Sequence, residues 1–374
     1  MSKYVLGIES SCDDTGVAII RDDGHIMANL ISSQFDEHLE FGGVVPEIAA
    51  RAHLDHMDRL IHGAMQKSGL AYSDLSAIAA TCGPGLIGGV MVGMMAGKAI
   101  AAAHKLPFIA VNHLEAHLLT ARLTDDAPMP YLCLLVSGGH SQLLIAEDIG
   151  TYKRIGTTLD DALGEAFDKT AKMMGLPYPG GPHLQKLAEE YITRCADEGC
   201  APDDIIGRYN LPHPLIHHDN MDFSFSGLKT AMRNHIDKIT GQEITTHQAQ
   251  ELAYCFHQAI IGVLNKKVGR AIDYYKTQYG ETLEANNIKP SLVIAGGVAA
   301  NRFIRAALED LTAGHEMSLI APPIQLCSDN GAMIAWAGWE RFNRGMIDGL
   351  DFAARPRWPL DPTAAKRIGA GVKA

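Results

Sequence analysis

The sequence predicts an α/β protein in which one unit is built twice. Three observations carry that expectation. The same order of apolar strands and periodic helices occurs in each half of the chain. In both halves a turn-rich segment closes the opening hairpin, Glu9 to Gly16 in the first and Ser137-Gly138-Gly139 in the second. The chain is 374 residues long, more than a single hydrophobic core usually fills.

The first half opens with an apolar strand at Tyr4–Ile8, and Val17–Ile20 returns beside it. Ile26–Ser33 reads as a third strand, followed by a helix over Pro46–Ser68 with proline at a suitable first turn. Ser76–Thr81 is a strand, Cys82-Gly83-Pro84-Gly85 a break, Leu86–His104 a helix and Pro107–Val111 another strand. The second half follows with strands at Tyr131–Val136, His140–Ala146 and Tyr152–Thr157, and helical periodicity over Asp160–Met174 and from His247 to about Tyr275. Ser291–Ala295 is a strand, Asn301–Leu311 a helix, Met317–Ala321 the last strand, and a further helix begins near a cap at Ser328 or Asp329.

Three strands, a helix, a strand, a helix and a strand, occurring twice, is the plan of actin, the sugar kinases and the Hsp70-type ATPases: two RNase H-like lobes around a cleft. The expected divisions are a first lobe over 1–126, a second over 127–345 with a less periodic insertion at about 182–222, and a tail over 346–374 packing back on the first lobe. Within the insertion, 195–204 and 211–220 read as loops.

Composition narrows the function classes. The apolar share is 47% and the charged share 20%, which suits a packed globular chain. A net charge of -11 repels nucleic acid overall, so any RNA must be met by a local basic patch or a partner. The seven cysteines include no CxxC pair, a poor disulfide or zinc-thiolate framework, and a reducing cytoplasm is expected. The start, MSKYVLGIESSCDD, lacks the pattern of a signal peptide. Gly85–Gly97 is uncharged, with Gly89, Gly93 and Gly97 spaced for close packing, but it is too short to span a bilayer and reads as a buried core helix.

Four glycine clusters follow predicted strands: Gly83 to Gly85, Ser137-Gly138-Gly139, Gly180-Gly181 and Gly296-Gly297. Glycine lets backbone approach phosphate closely, and a helix start adds donors, so the 296–301 segment is the best nucleotide candidate. The competing reading is ordinary turns. Neither a Walker A sequence nor GxGxxG occurs, which removes P-loop and Rossmann sites.

In Asn112-His113-Leu114-Glu115-Ala116-His117 the two histidines are four apart, so on a helix they share a face and suit one metal ion. This is not HExxH, since Glu115 stands two places after His113, and a zinc peptidase would lack its base. Asp329, after the last strand of the second half, is the candidate third ligand; its rival role is a plain helix cap. Two imidazoles and a carboxylate suit iron, zinc or manganese.

These segments resemble a known family, the tRNA threonylcarbamoyladenosine transferases (TsaD in bacteria, once assigned as sialoglycoprotein endopeptidases). The resemblance runs through GIESSCDDTGVAI, FGGVVPEIAARAH, GPGLIGGVMVG, NHLEAH, LLVSGGHSQL, GEAFDKTAKMMGLPYPGGP, DFSFSGLKT, AGGVAANR, CSDNGAMIAWAG and RPRWPLD, nearly the whole chain. It implies an actin-like fold and transfer of a threonylcarbamoyl group from threonylcarbamoyl-adenylate to the exocyclic amine of adenosine 37, in the anticodon loop of tRNA, releasing AMP. It implies one divalent ion per chain, Fe2+ first, on His113, His117 and Asp329. Leu135, Val136, Ser137, Gly138, Gly139, Asp168, Gly181 and Asn301 match adenylate-contacting positions, and Asp13 an acid near the reacting centre. From the residues themselves, Asp13 and Asp14 are both candidate proton acceptors, against a rival role as solvated turn residues.

Implied partners are a degenerate TsaB-like paralogue, a small TsaE-like P-loop ATPase and a TsaC-type synthase supplying the adenylate, with no membrane. The chain departs from the family in carrying Asp13-Asp14-Thr15 where Asp-Glu-Thr is usual, one methylene shorter. Leu135 stands where archaeal and eukaryotic members often have tyrosine, which marks a bacterial type, and 182–222 and 275–288 are longer than in compact members. The rival readings are an actin-like ATPase or small-molecule kinase, a metallopeptidase, and a non-catalytic scaffold pairing through the helix near 46–68.

Overall fold

Ten strands form two five-stranded mixed sheets of one topology, each in its own compact unit of the computed structural model, which describes residues 2–34, 38, 43–239 and 244–365. The first sheet holds β1 (Tyr4–Glu9), β2 (Asp14–Arg21), β3 (Ile26–Ser33), β4 (Ala77–Gly83) and β5 (Phe108–Asn112), in the order β3-β2-β1-β4-β5. β2 runs antiparallel to β1 and to β3, whereas β1, β4 and β5 are parallel. The second holds β6 (Tyr131–Val136), β7 (Ser141–Asp148), β8 (Thr151–Thr157), β9 (Ser291–Ala295) and β10 (Ser318–Ile320), in the order β10-β9-β6-β7-β8. In each repeat the central first strand lies between its hairpin partner and the fourth strand. That shared order is the duplicated actin-like architecture.

In the first unit α1 (Pro46–Ser68) packs on β2 and β3, and α2 (Ile87–His104) on α1 and β4. Proline opens α1 and Gly69, at φ 70°, closes it. By length and composition α2 is long and apolar enough to cross a membrane. Its glycine face is used inside the unit instead: a Cβ at Gly89 would lie 2.5 Å from the Ser10 carbonyl, and one at Gly97 would lie 3.1 Å from the Ala80 Cβ. The apolar core here joins Leu6, Ile8, Val17 and Ile19 of the sheet to Met57, Leu60, Ile61 and Met94 of the helices.

The second unit carries α4 (Leu163–Met173), α5 (Gly180–Glu198), α6 (Ser226–Ile239), α7 (Thr246–Ala285) and α8 (Arg302–Gly314). Three sequence expectations change here. Much of the insertion is the 19-residue helix α5, whose buried Leu184, Ala188, Tyr191 and Cys195 face α7. α6 falls after the insertion, where no helix was expected. α7 runs for 40 residues, past its expected end near Tyr275, so most of 275–288 is helix.

The chain end changes the division more. α3 (His113–Asp125) and α9 (Gly331–Asn343) pack on each other, and α9 also packs on β1, β2 and β4. Residues Pro322–Pro362 therefore belong to the first unit, although 322–345 was expected in the second lobe. Glu147–Tyr152, the tip of the β7–β8 hairpin, is also part of the first unit. The reason for the α9 placement is backbone proximity. A Cβ on Gly7 would lie 2.6 Å from the Gly331 carbonyl, and a Cβ on Gly16 would lie 2.6 Å from the Gly331 nitrogen. The cap of α9 is Asn330, whose side chain accepts from the Met333 N–H, rather than Ser328 or Asp329.

Gly7→Ala should therefore destabilise the fold by about 1–3 kcal/mol, the usual cost of overpacking, as measured by urea unfolding. A change within the roughly 0.5 kcal/mol of ordinary surface substitutions would mean that α9 is free to move off the sheet.

Candidate metal centre and substrate turns

The end of β5 fixes the start of α3. Asn112 caps the helix by accepting from the Leu114 N–H at 2.9 Å, while its amide donates to the Trp358 carbonyl at 3.0 Å. With that start defined, His113 and His117 project from one face, and their rings meet edge-on with centroids 4.7 Å apart. Both are buried.

Asp329 comes to them from the loop before α9. Its Oδ1 lies 3.1 Å from His117 Nε2 and 3.6 Å from His113 Nε2. One ligand atom from each of the three residues lies within 4.8 Å of the others. Two imidazole nitrogens converging on one carboxylate oxygen fit a metal ion, with room for further ligands. The three ligands predicted from sequence are thus brought together, but all within the first unit; Asp329 was expected from the opposite lobe. It follows β10 of the second repeat in sequence, and the packing of α9 carries it to the first sheet.

Sequence reading missed Glu9. It is fully buried at the end of β1, and its Oε2 lies 3.0 Å from His113 Nδ1. The carboxylate also accepts from the Ser11 N–H at 2.6 Å and the Thr81 hydroxyl at 2.5 Å. A carboxylate behind a ligating histidine fixes which nitrogen carries the proton and turns the other toward the metal. The only signal for it in the sequence was an acidic residue ending an otherwise apolar strand. Burial by itself disfavours an imidazolium at His113, but the charges of Glu9 and then Asp329 outweigh it and raise the pKa to about 9. Burial likewise works against the Glu9 charge, and His113 overcomes it, so the carboxyl stays below its usual range.

Glu115, the residue that would have to serve a peptidase, is engaged elsewhere. It is buried, accepts from Tyr152 and the Gly150 N–H, and pairs with Arg341 at 3.2 Å.

Asp13 and Asp14 lie at the β1–β2 turn, both half-buried. Burial raises the pKa of Asp14 to about 7, helped by the charges of Asp329 and Asp13. Asp13 is also raised, burial again being the largest cause. Asp14 Oδ1 is buried with no hydrogen-bond partner among the described residues.

The residues matched to adenylate contacts are all in the second unit. Ser137-Gly138-Gly139 closes the β6–β7 hairpin through Ser137 N–H to the His140 carbonyl at 2.8 Å. Gly138, Gly139, Gly181 and Gly297 have open space where a Cβ would stand, as a cradle for a ligand requires. α4 is held against this turn by Gly164 N–H to the Ser137 carbonyl at 3.2 Å. Asp168 accepts from the Gly180 N–H at 2.7 Å and so ties α4 to the start of α5. Asn301 caps α8 and donates its amide to His257 at 3.1 Å. Leu135 and Val136 have fully buried side chains, so only their backbone can serve a ligand. Of the four glycine clusters, Gly83 to Gly85 is a packing turn: Gly83 lies against the Arg355 backbone and Gly85 against Ser11.

Fold and donor set together define a class, an actin-like protein whose first unit has a site fit for a metal ion. Comparison with known proteins narrows it. A sequence profile of TsaD, tRNA N6-adenosine threonylcarbamoyltransferase, matches residues 25–336. The enzymes of that name from Brucella canis and Brucella abortus are each 51% identical to this chain over 371 residues, 98% of both chains. Among solved structures, the (R)-2-hydroxyglutaryl-CoA dehydratase component A of Acidaminococcus fermentans is similar over 91% of this chain and 98% of its own, with TM-score 0.48 and 15% identity. The chain belongs to the TsaD family and is a transferase that threonylcarbamoylates N6 of adenosine in tRNA.

Below about pH 9 the metal-free His113 holds a proton that coordination through Nε2 must displace. Calorimetry of Zn2+ binding near pH 7.5 in buffers of different ionisation enthalpy should show about one proton released per ion. Glu9→Gln should weaken metal binding about 10–100-fold. A buffer-independent heat would mean that His113 is already neutral before the ion binds, and an unchanged affinity in Glu9→Gln would remove the orienting role of Glu9.

Proposed function

We propose that the chain takes threonylcarbamoyl-adenylate as donor and adenosine 37 of the tRNA anticodon loop as acceptor, and releases AMP. The observation that carries the reading is the convergence of His113 Nε2, His117 Nε2 and Asp329 Oδ1, with Glu9 behind His113. A loop base can be splayed out of its stack and read on its edges, which suits an amine acceptor.

The donor is a mixed anhydride. The N6 amine forms a bond to the carbamoyl carbon, the bond from that carbon to the phosphate oxygen breaks, and AMP carries away the electron pair. N6 must also lose a proton, and Asp14 is the favoured acceptor, with Asp13 its neighbour. Its partial burial and an Oδ1 without a partner among the described residues support that role. An amide-like nitrogen is a weak nucleophile, so positioning and charge stabilisation carry most of the rate.

In the second unit the open Ser137-Gly138-Gly139 turn, Gly181, Asp168 and Asn301 would hold the phosphate and adenosine parts, with backbone from Leu135 and Val136. His113, His117 and Asp329 would hold one divalent ion, Fe2+ first, Zn2+ or Mn2+ as alternatives that the same donors accept. When bound, it supplies Lewis-acid polarisation and a fixed positive charge for the threonylcarbamoyl end of the donor. A cytoplasmic protein working with a TsaB-like paralogue, a TsaE-like ATPase and a TsaC-type synthase completes the reading.

The test is transfer from purified adenylate to tRNA with these partners present, followed by nucleoside mass spectrometry. Asp329→Ala should lose transfer while keeping its fold; full transfer would end the metal reading. Asp14→Asn should lower kcat by about 10²–10⁴-fold. A carboxylate base works only when ionised, so wild-type kcat should rise with pH as Asp14 ionises, its pKa being about 7 before the ion binds. With a cation opposing Asp329 the rise should move lower, and Asp14→Asn should abolish it. An unchanged profile in that variant would clear Asp14 of the role.

A further inference from the structure

We infer that His53 is a positioning residue for the acidic turn, holding Asp13 and Asp14 where one of them can take the N6 proton. The inference rests on the proposed base role of that turn. His53 lies on α1 and is fully buried. One edge of its ring bonds to the residue just before the acidic pair and to the residue just after it. Nε2 is 3.0 Å from the Cys12 carbonyl, and Nδ1 is 2.7 Å from the Thr15 hydroxyl and 3.2 Å from Gln34 Nε2.

The partners fix the tautomer. A carbonyl can only accept, so Nε2 carries the hydrogen, and Nδ1 accepts from Thr15 and Gln34. Burial keeps the ring's pKa below its ordinary value, in keeping with this neutral form. The ring has little freedom to turn, since a Cβ on Gly89 of α2 would lie 2.9 Å from Nε2. The backbone around the pair is held at further points: Leu86 N–H to the Ser11 carbonyl at 2.7 Å and Gln34 N–H to the Asp13 carbonyl at 3.1 Å. Asp14 Oδ1, by contrast, has no partner among the described residues; its carboxylate is bonded by Ser33, opposite it on β3, and the backbone that carries it is the stretch His53 closes.

A core histidine with no such role would affect stability alone; a positioning residue acts on kcat through the acid. Three variants separate these: His53→Ala; His53→Gln, whose amide again presents one acceptor and one donor side by side; and Thr15→Val, which removes one bond without opening a cavity. We expect His53→Ala to lower kcat about 10²-fold, with KM for tRNA and adenylate and the affinity for Zn2+ unchanged. His53→Gln should recover most of the loss, and Thr15→Val should lower kcat in the same direction. In an Asp14→Asn or Asp13→Asn background, whichever is the base, His53→Ala should cost little more, because the group it acts through is gone.

Wild-type kcat in folded His53→Ala, or an equal loss with and without the acid, overturns the inference. Should His53→Ala not fold, a wild-type kcat in both Thr15→Val and His53→Gln at lowered thermal stability overturns it instead. Failure of the base reading is separate: it is seen when Asp13→Asn and Asp14→Asn each keep wild-type kcat.

Discussion

The close approach of α9 to strands β1 and β2 is the constraint on which the candidate metal centre depends. Gly7, Gly16 and Gly331 stand where side chains would force the helix backbone outward. Asp329 lies two residues before Gly331, so the distance between helix and sheet also sets the distance between its carboxylate and the α3 histidines. The same helix supplies Arg341 to Glu115, so α3 is fixed on its far face as well. A displacement of about an ångström here would pass directly to the 3.1 Å and 3.6 Å separations at the site.

Buried charge explains why this region is so heavily bonded. Glu9 is an ionised group with no access to water, a state that is costly unless every lone pair is answered. Its oxygens meet His113, Ser11 and Thr81, and so the cost is offset by bonds that also orient the imidazole. Asp14 is the opposite case. It is half-buried with Oδ1 unanswered among the described residues, and burial, with the charges of Asp329 and Asp13, raises its pKa to about 7. Of the two carboxylates, Glu9 is fully answered by its neighbours and Asp14 is not, the state in which a carboxyl group titrates high.

Much of this was legible in the sequence. Strand and helix periodicity marked both repeats, because each sheet has a mostly apolar central strand and helices such as α1 and α8 carry a buried stripe. The spacing of His113 and His117 marked a shared helix face, since four residues on a helix is a local rule. What sequence could not show was non-local. Asp329 does meet the two histidines, but it was expected in the other unit, because no pattern within the loop reveals that α9 packs on the first sheet. Glu9 was passed over because its value lies in a residue 104 positions away. The Gly83 turn looked like the other glycine turns and proved to be filled by the chain end at Arg355.

The two repeats have diverged at matched positions in a way that follows from their bonding. The β1–β2 turn is acidic and gripped from α1 and α2, with Ser10, Cys12, Asp13 and Thr15 all bonded to residues outside it. The β6–β7 turn is Ser137-Gly138-Gly139, which closes on itself through His140 and leaves two glycines facing open space. A gripped acidic turn can aim a proton acceptor but would repel phosphate. An open glycine turn offers backbone N–H groups to phosphate but can take no proton. Likewise, the segment after the fifth strand gives two imidazoles in the first repeat and one carboxylate in the second. One strand order thus places unlike donors at like positions, an acidic turn and two imidazoles in the first repeat and an open glycine turn and one carboxylate in the second, and the proposed reaction calls on each of them.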